Sequence, residues 1–164
     1  MSSLSPIVRA AGEGDRQLFL GGGLHTWKLM SQDTGGTFFL FEDTMAQGKC
    51  TPLHHHPEAD ETLYVIEGEI VVDVDGTKHV VGAGGVTFTP RGVHHALLAR
   101  SETARVLTLQ TPGIGQAFYQ GASEPSIDET VDAVDIDRVR ASAQANPRGI
   151  ALLGPPPFDD VSST

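Results

Sequence analysis

The chain has 164 residues and a formal net charge of −10, with 11 basic against 21 acidic side chains. That length suits one domain with an adequate core, and the negative charge, with Lys and Arg scattered rather than gathered into a stripe, argues against nucleic acid or an anionic membrane as a partner. Abundant glycine and proline point to a turn-rich, all-β plan, while the single cysteine, Cys50, excludes an intrachain disulfide and agrees with a reducing compartment.

Residues 1–16 read as an N-terminal arm without the basic and apolar regions of a signal peptide. No run approaches the ~18 apolar residues of a membrane span, so the expectation is a cytoplasmic protein. From Gln17 to Thr111 short apolar runs alternate with turn signals: "RQLFL", "LHTWKLM", "TFFLFEDTM", "ETLYVIEG", "EIVVDVDG", "TKHVVGAG", "GVTFTP", "HHALLA" and "ARVLTLQ". This rhythm predicts a sandwich or barrel of antiparallel strands over residues 17–112. Asp75-Gly76 supplies a type I′ hairpin turn, Glu67-Gly68 a second sharp turn, and "GAGG" at 82–85 a loop. "TFFLF" is apolar on both faces, and the sequence leaves open whether a dimer buries it.

Residues 113–158 change texture and are expected to pack on the barrel. "GIGQAFYQG" fits a short helix, and "IDRVRASAQAN", capped by Asp135 and stopped by Pro147, fits another with Ile136, Val139 and Ala143 on one face. "GIALLGPPPF" reads as an extended segment that docks on the barrel, and 159–164 as a solvated tail.

The chemistry concentrates in "GKCTPLHHHPEADETLYVIEG", residues 48–68. On an extended strand His54 and His56 emerge from one face and His55 from the other. Pro57 can return the chain so that Glu61 faces the same cavity, and "GGVTFTPRGVHHALLA" brings His95 forward from a distant strand. Three imidazoles and a carboxylate form a mixed N/O ligand set suited to one divalent transition metal (Fe, Mn, Ni, Co, Cu or Zn), with positions left for water or substrate. The plainer alternative is a set of hydrogen-bonded polar residues in a barrel that holds no metal. Four agreeing positions, and the need of a buried carboxylate for a partner, favour the ligand set.

The two runs resemble the paired motifs of the cupin family. Gly48, His54, His56, Glu61 and Gly68 match the first in full; Gly84, Pro90, Gly92 and His95 match the second, with Ala99 where the family usually has Asn. The resemblance implies an all-β cupin jelly-roll antiparallel barrel with a short C-terminal helix, often paired as a homodimer. "TPGIGQAFYQG" and "IALLGPPPF" are similar to the tails of quercetinase-like single cupins. In that branch the carboxylate matching Glu61 takes the proton of a flavonol hydroxyl. The implied function is therefore a metal-dependent dioxygenase that uses O2 on a flavonol or another enolisable, apolar or aromatic small molecule, with Glu61 as ligand and catalytic base. A non-redox cyclase, isomerase or lyase, or a non-enzymatic small-molecule-binding cupin, are the alternatives.

Other residues are expected to play lesser parts. His55 and His94 neighbour ligands and should point outward, while His25 and His79 read as surface histidines. Cys50 shares parity with His54, but Pro52 intervenes and a buried, inert thiol is the simpler reading. Leu63, Val65 and Leu97 should line the interior, with Phe39 or Phe41, Phe88 and Leu109 shaping an apolar pocket. Phe118 and Tyr119 read as hydrophobic docking residues.

Overall fold

The computed structural model describes residues 4–19, 23–125 and 136–158. In chain order its strands are β1 (Asp15–Phe19), β2 (Gly23–Leu29), β3 (Phe39–Ala46), β4 (Leu53–His55), β5 (Asp60–Glu67), β6 (Glu69–Val74), β7 (Thr77–Gly82), β8 (Val86–Thr89), β9 (His95–Ala99), β10 (Thr103–Thr111), β11 (Glu124–Pro125) and β12 (Ala151–Gly154). Helices α1 (Gln116–Ala122) and α2 (Ile136–Ala145) follow β10. Asp135 and the tail from 159 onward lie outside the described residues. The nine apolar runs each became a strand, and the closing "IALLG" became β12.

These strands form two antiparallel sheets, ordered β11-β1-β2-β3-β10-β5-β8 and β12-β4-β9-β6-β7. Among the described residues no ladder joins the two sheets, so this jelly roll is a sandwich held by side chains rather than a barrel closed by hydrogen bonds. The chain changes sheet at Gly68, between β5 and β6. Its φ of 75° lies in the left-handed region, and a Cβ there would sit 2.2 Å from the Thr103 carbonyl oxygen, so only glycine fits the corner. The β6–β7 hairpin turns on Asp75 and Gly76, with φ of 47° and 81°, as a type I′ turn requires.

Period-2 alternation sorts the side chains. Phe39, Phe41, Asp43 and Met45 of β3 point inward, as do Ala104, Val106, Thr108 and Gln110 of β10. One core cluster is aromatic, with Trp27, Phe39, Phe41, Phe118 and Tyr119 packed under the two helices. The other is aliphatic, with Met45, Leu63, Val65, Ile70, Val72 and Leu97 between the sheets. Strand β9 is buried along its whole length because Phe158 covers its outer side, packed with Val71, Ala96 and Leu98. The candidate site lies where the aromatic and aliphatic clusters meet.

Candidate metal centre

Short strand β4 points His54 into the sandwich, and His56 follows it on the same side. Strand β9 pairs with β4 so that His95 stands directly opposite His54, which brings the two rings to 4.3 Å between centroids. His56 completes the group, 5.1 Å from the His54 ring and 5.3 Å from the His95 ring. The donor nitrogens of all three lie within 4.8 Å of one another. Glu61 arrives from the opposite sheet, on β5. Its Oε1 is 3.2 Å from His56 Nε2 and its Oε2 3.2 Å from His95 Nε2. None of the four is more than 6% exposed.

The hydrogen bonds of the rings assign their tautomers. His54 Nδ1 meets the Pro52 carbonyl at 2.8 Å, His56 Nδ1 that of Gly149 at 2.7 Å, and His95 Nδ1 that of Val93 at 3.0 Å. A carbonyl only accepts, so each Nδ1 carries the proton; His54 and His56 turn an Nε2 lone pair toward the centre, whereas His95 Nε2 is hydrogen-bonded to Glu61 Oε2 at 3.2 Å and shares a proton that a bound ion would displace. His56 Nε2 then faces a carboxylate oxygen at 3.2 Å without a hydrogen bond. Two buried, electron-rich atoms at that distance require positive charge beside them.

Ionisation follows the same logic. Burial, reinforced by the His95 and His56 rings, holds His54 well below the ordinary imidazole range. Burial alone would raise the Glu61 carboxyl, but His56 and His95 outweigh it and hold it well below its usual range. For His95 burial opposes protonation, and Glu61 outweighs that and pushes the pKa up. The carboxylate thus draws a positive charge to this point, and a divalent ion meets the demand of all four groups at once. The residues fit a metal.

The centre opens on a small cavity of about 50 Å3. Phe41, Leu63 and Leu97 give it apolar walls. Tyr119 of α1 donates its hydroxyl to Glu61 Oε1 at 3.2 Å; burial and the adjacent carboxylate push its pKa well up, so it stays a phenol. Another wall holds a buried ion pair, Lys49 Nζ to Asp43 Oδ2 at 2.8 Å. Burial would raise the Asp43 carboxyl, but Lys49 and His25 outweigh it and keep it ionised.

Comparison with known proteins accords with this geometry. The cupin domain family matches residues 41–109. The tetracenomycin polyketide synthase protein TcmJ of Streptomyces glaucescens is 33% identical over 114 residues, which cover 68% of this chain and 69% of TcmJ. The chain belongs to the cupin family. Quercetin 2,3-dioxygenase of Bacillus subtilis (strain 168) is 27% identical over 120 residues, 73% of this cupin but 35% of the Bacillus protein. Among solved structures, the polyketide cyclase RemF from Streptomyces resistomycificus has the same fold, with a TM-score of 0.56 and 24% identity over 65% of this chain and 80% of RemF.

Several readings of this cupin's sequence need correction. His25 is not on the surface: it is 1% exposed, stacked between Phe19 at 4.7 Å and Phe41 at 4.2 Å. Its strand, β2, is an interior strand of the larger sheet, so its inward face is covered. Leu109 faces away from the cavity and its neighbour Thr108 takes the place, because β10 alternates in the opposite phase. Phe88 is 61% exposed on the outer face of β8. Phe39 belongs to the aromatic core, whereas Phe41 lines the cavity.

Cys50 is half-buried among the residues under Phe158, away from the cavity, where burial raises its thiol. Lys49, one residue earlier, points inward instead. His79 is exposed, and His55 turns from the centre to pair with His94, ring centroids 5.6 Å apart. Tyr119 is more than a docking residue. Neither it nor the Asp43–Lys49 pair carries a motif; only the parity of Asp43 with Phe39 and Phe41 could have signalled that this acid is buried. No helix among the described residues is long and apolar enough to cross a membrane.

Proposed function

We propose that this cupin is a metal-dependent dioxygenase of quercetinase-like type, acting with O2 on a flavonol or another enolisable, apolar small molecule. The observation that carries the reading is the convergence of three buried imidazoles beside a buried carboxylate that is itself hydrogen-bonded by Tyr119, at the head of a cavity walled in part by apolar side chains. The likeness to quercetin 2,3-dioxygenase supports it. His54, His56, His95 and Glu61 would hold one divalent transition ion, which supplies Lewis acidity for an enolate and, if redox-active, a means of engaging O2.

The protein's own groups do the rest. The backbone carbonyls of Pro52, Val93 and Gly149 fix the imidazoles in one tautomer. Glu61, ionised and buried, accepts the proton of the substrate's enolic hydroxyl, and Tyr119 keeps its Oε1 in place while that happens. Phe41, Leu63 and Leu97 exclude water from the reacting face. The outer face of the larger sheet, where Tyr64, Val86 and Phe88 are exposed on the paired strands β5 and β8, supports pairing into a homodimer.

A non-redox reading has an observation of its own: TcmJ is a polyketide synthase protein and matches over most of its length. In that reading the same centre acts as a Lewis acid in cyclising a polyketide-like substrate. Metal-free protein reconstituted separately with Fe, Mn, Ni, Co, Cu and Zn, then given flavonols and 1,3-diketones in an oxygen electrode, decides between them. Oxygen uptake that depends on both metal and substrate is expected. Turnover by the zinc form under strict anaerobiosis would select the cyclase instead.

A further inference from the structure

Inside the cavity, apart from the four candidate ligands, sits a polar cluster for which the proposed chemistry has no use. His25 on β2 and Asp43 on β3 are cross-strand partners, with His25 Nε2 3.5 Å from Asp43 Oδ2, and Lys49 Nζ closes on the same oxygen at 2.8 Å. All three are at least 95% buried. Such a buried charge pair is weak support for a fold, since apolar side chains of similar volume often serve stability as well or better. Its presence calls for another purpose.

The hydrogen-bond account shows where the purpose lies. Asp43 is ionised, so His25 turns its Nε2–H toward it and leaves a lone pair on Nδ1. Burial lowers the His25 pKa despite Asp43, which keeps the ring neutral. Phe19 and Phe41 cover both ring faces, and Nδ1 has no partner in the protein. A buried acceptor aligned by a carboxylate, on the wall of a binding cavity, is incomplete until an occupant brings a donor. Lys49 cancels the charge of Asp43, so the wall selects by hydrogen bond rather than by charge.

We propose that His25 Nδ1, held by Asp43 and Lys49, is a specificity-determining acceptor for a second hydroxyl group of the substrate, remote from the oxygen presented to the metal centre. The assignment rests on the reading of the cavity as a site for a flat, enolisable molecule. It narrows the substrate class to polyhydroxylated aromatic compounds, because a site built to bond a hydroxyl rejects the analogue that lacks it.

The test uses the full chain loaded with zinc and titrated without oxygen, following the absorbance of two probes: quercetin, with several ring hydroxyls, and 3-hydroxyflavone, with the enolic one only. Quercetin is expected to bind about tenfold more tightly. His25→Phe, which keeps the aromatic stack, is expected to bring the ratio to about one, and His25→Asn, which restores an acceptor, to recover part of it. Bound zinc and near-ultraviolet circular dichroism identify a folded variant; should His25→Phe fail them, His25→Leu replaces it with the same expectation. A wild-type protein without preference, or a variant that retains it, overturns the role of His25 alone. If neither flavonol binds the wild type, the flavonol reading falls and this assignment with it.

Discussion

The Tyr119 hydroxyl donates to Glu61 Oε1 at 3.2 Å, joining helix α1 to strand β5 across 58 residues of chain. This bond ties the carboxylate of the candidate centre to the helical segment that roofs the aromatic core. It also makes Glu61 a weaker base than an unbonded buried carboxylate would be.

Tyr119→Phe tests that bond with little change in packing. The variant is expected to keep its metal, measured by elemental analysis. Oxygen uptake on a flavonol should fall about tenfold, the loss of one hydrogen bond to a charged group, and the acid limb of its rate profile should move to higher pH. An unchanged profile would leave Tyr119 as packing alone.

Removing a ligand separates binding from chemistry. His95→Ala and His56→Ala are expected to lose the bound ion, with affinity down at least about 100-fold. Glu61→Gln keeps three imidazoles and should retain metal at reduced affinity while flavonol-dependent uptake drops by about 10²–10⁴. Full activity in the Glu61→Gln protein would remove Glu61 from the role of base.

Protons and metal compete for the same lone pairs. The raised pKa of His95 means that its ring still holds a proton at pH values above the ordinary 6.5, so metal affinity should climb with pH and level off only above that value. The metal-free protein runs the other way. Glu61 contributes stability above the ordinary 4.5 that is lost as pH falls through its depressed value, and His95 contributes below 6.5 what is lost as pH rises through its raised value. His54 and His25, with lowered pKa values, contribute fully above 6.5 and lose that contribution as pH falls below it, so thermal melts of the metal-free form should fall off on both sides of about pH 6.5, and added metal should move the optimum upward.

Asp43→Asn leaves Lys49 buried without its counter-charge, and a loss of about 3–5 kcal/mol is expected at pH 7. Because the Asp43 pKa lies below the ordinary 3.8, its contribution is complete above that value and disappears only as pH falls through the depressed one. Urea titrations should show a gap between wild type and variant that is constant from neutrality to about pH 4 and closes in stronger acid. A gap that does not narrow in acid would mean that the lost stability comes from something other than ionised Asp43.

Phe88→Glu places a charge on the exposed face of β8. If that face joins two copies of the chain, sedimentation should show the wild type as a dimer and the variant as a monomer, with metal content unchanged. A wild-type monomer would remove the homodimer from the reading.

The strands were legible because apolar alternation and glycine turns are local signals, and Gly68 and Asp75-Gly76 stand at their corners as read. The spacing of His54, His56, Glu61 and His95 was legible for a similar reason: each motif lies on one short run of chain. What escaped were relationships across the sheets. His25 looked exposed because nothing in "LHTWKLM" reveals that Phe19 and Phe41 will cover both faces of its ring. Leu109 reads as a cavity residue because it is apolar, whereas the phase of β10, set by its pairing with β3 and β5, turns Thr108 inward instead. Tyr119 carries no motif, and its meaning appears only when α1 is packed over β5.

The Gly149 carbonyl that holds the His56 ring is 93 residues further along the chain, just before β12 adds to β4. A nascent polypeptide still lacking that stretch would have every ligand already synthesised yet one imidazole free to swivel. The orientation of His56 therefore depends on the C-terminal stretch, and a chain cut short before Gly149 is expected to bind an added divalent ion more weakly than the full chain.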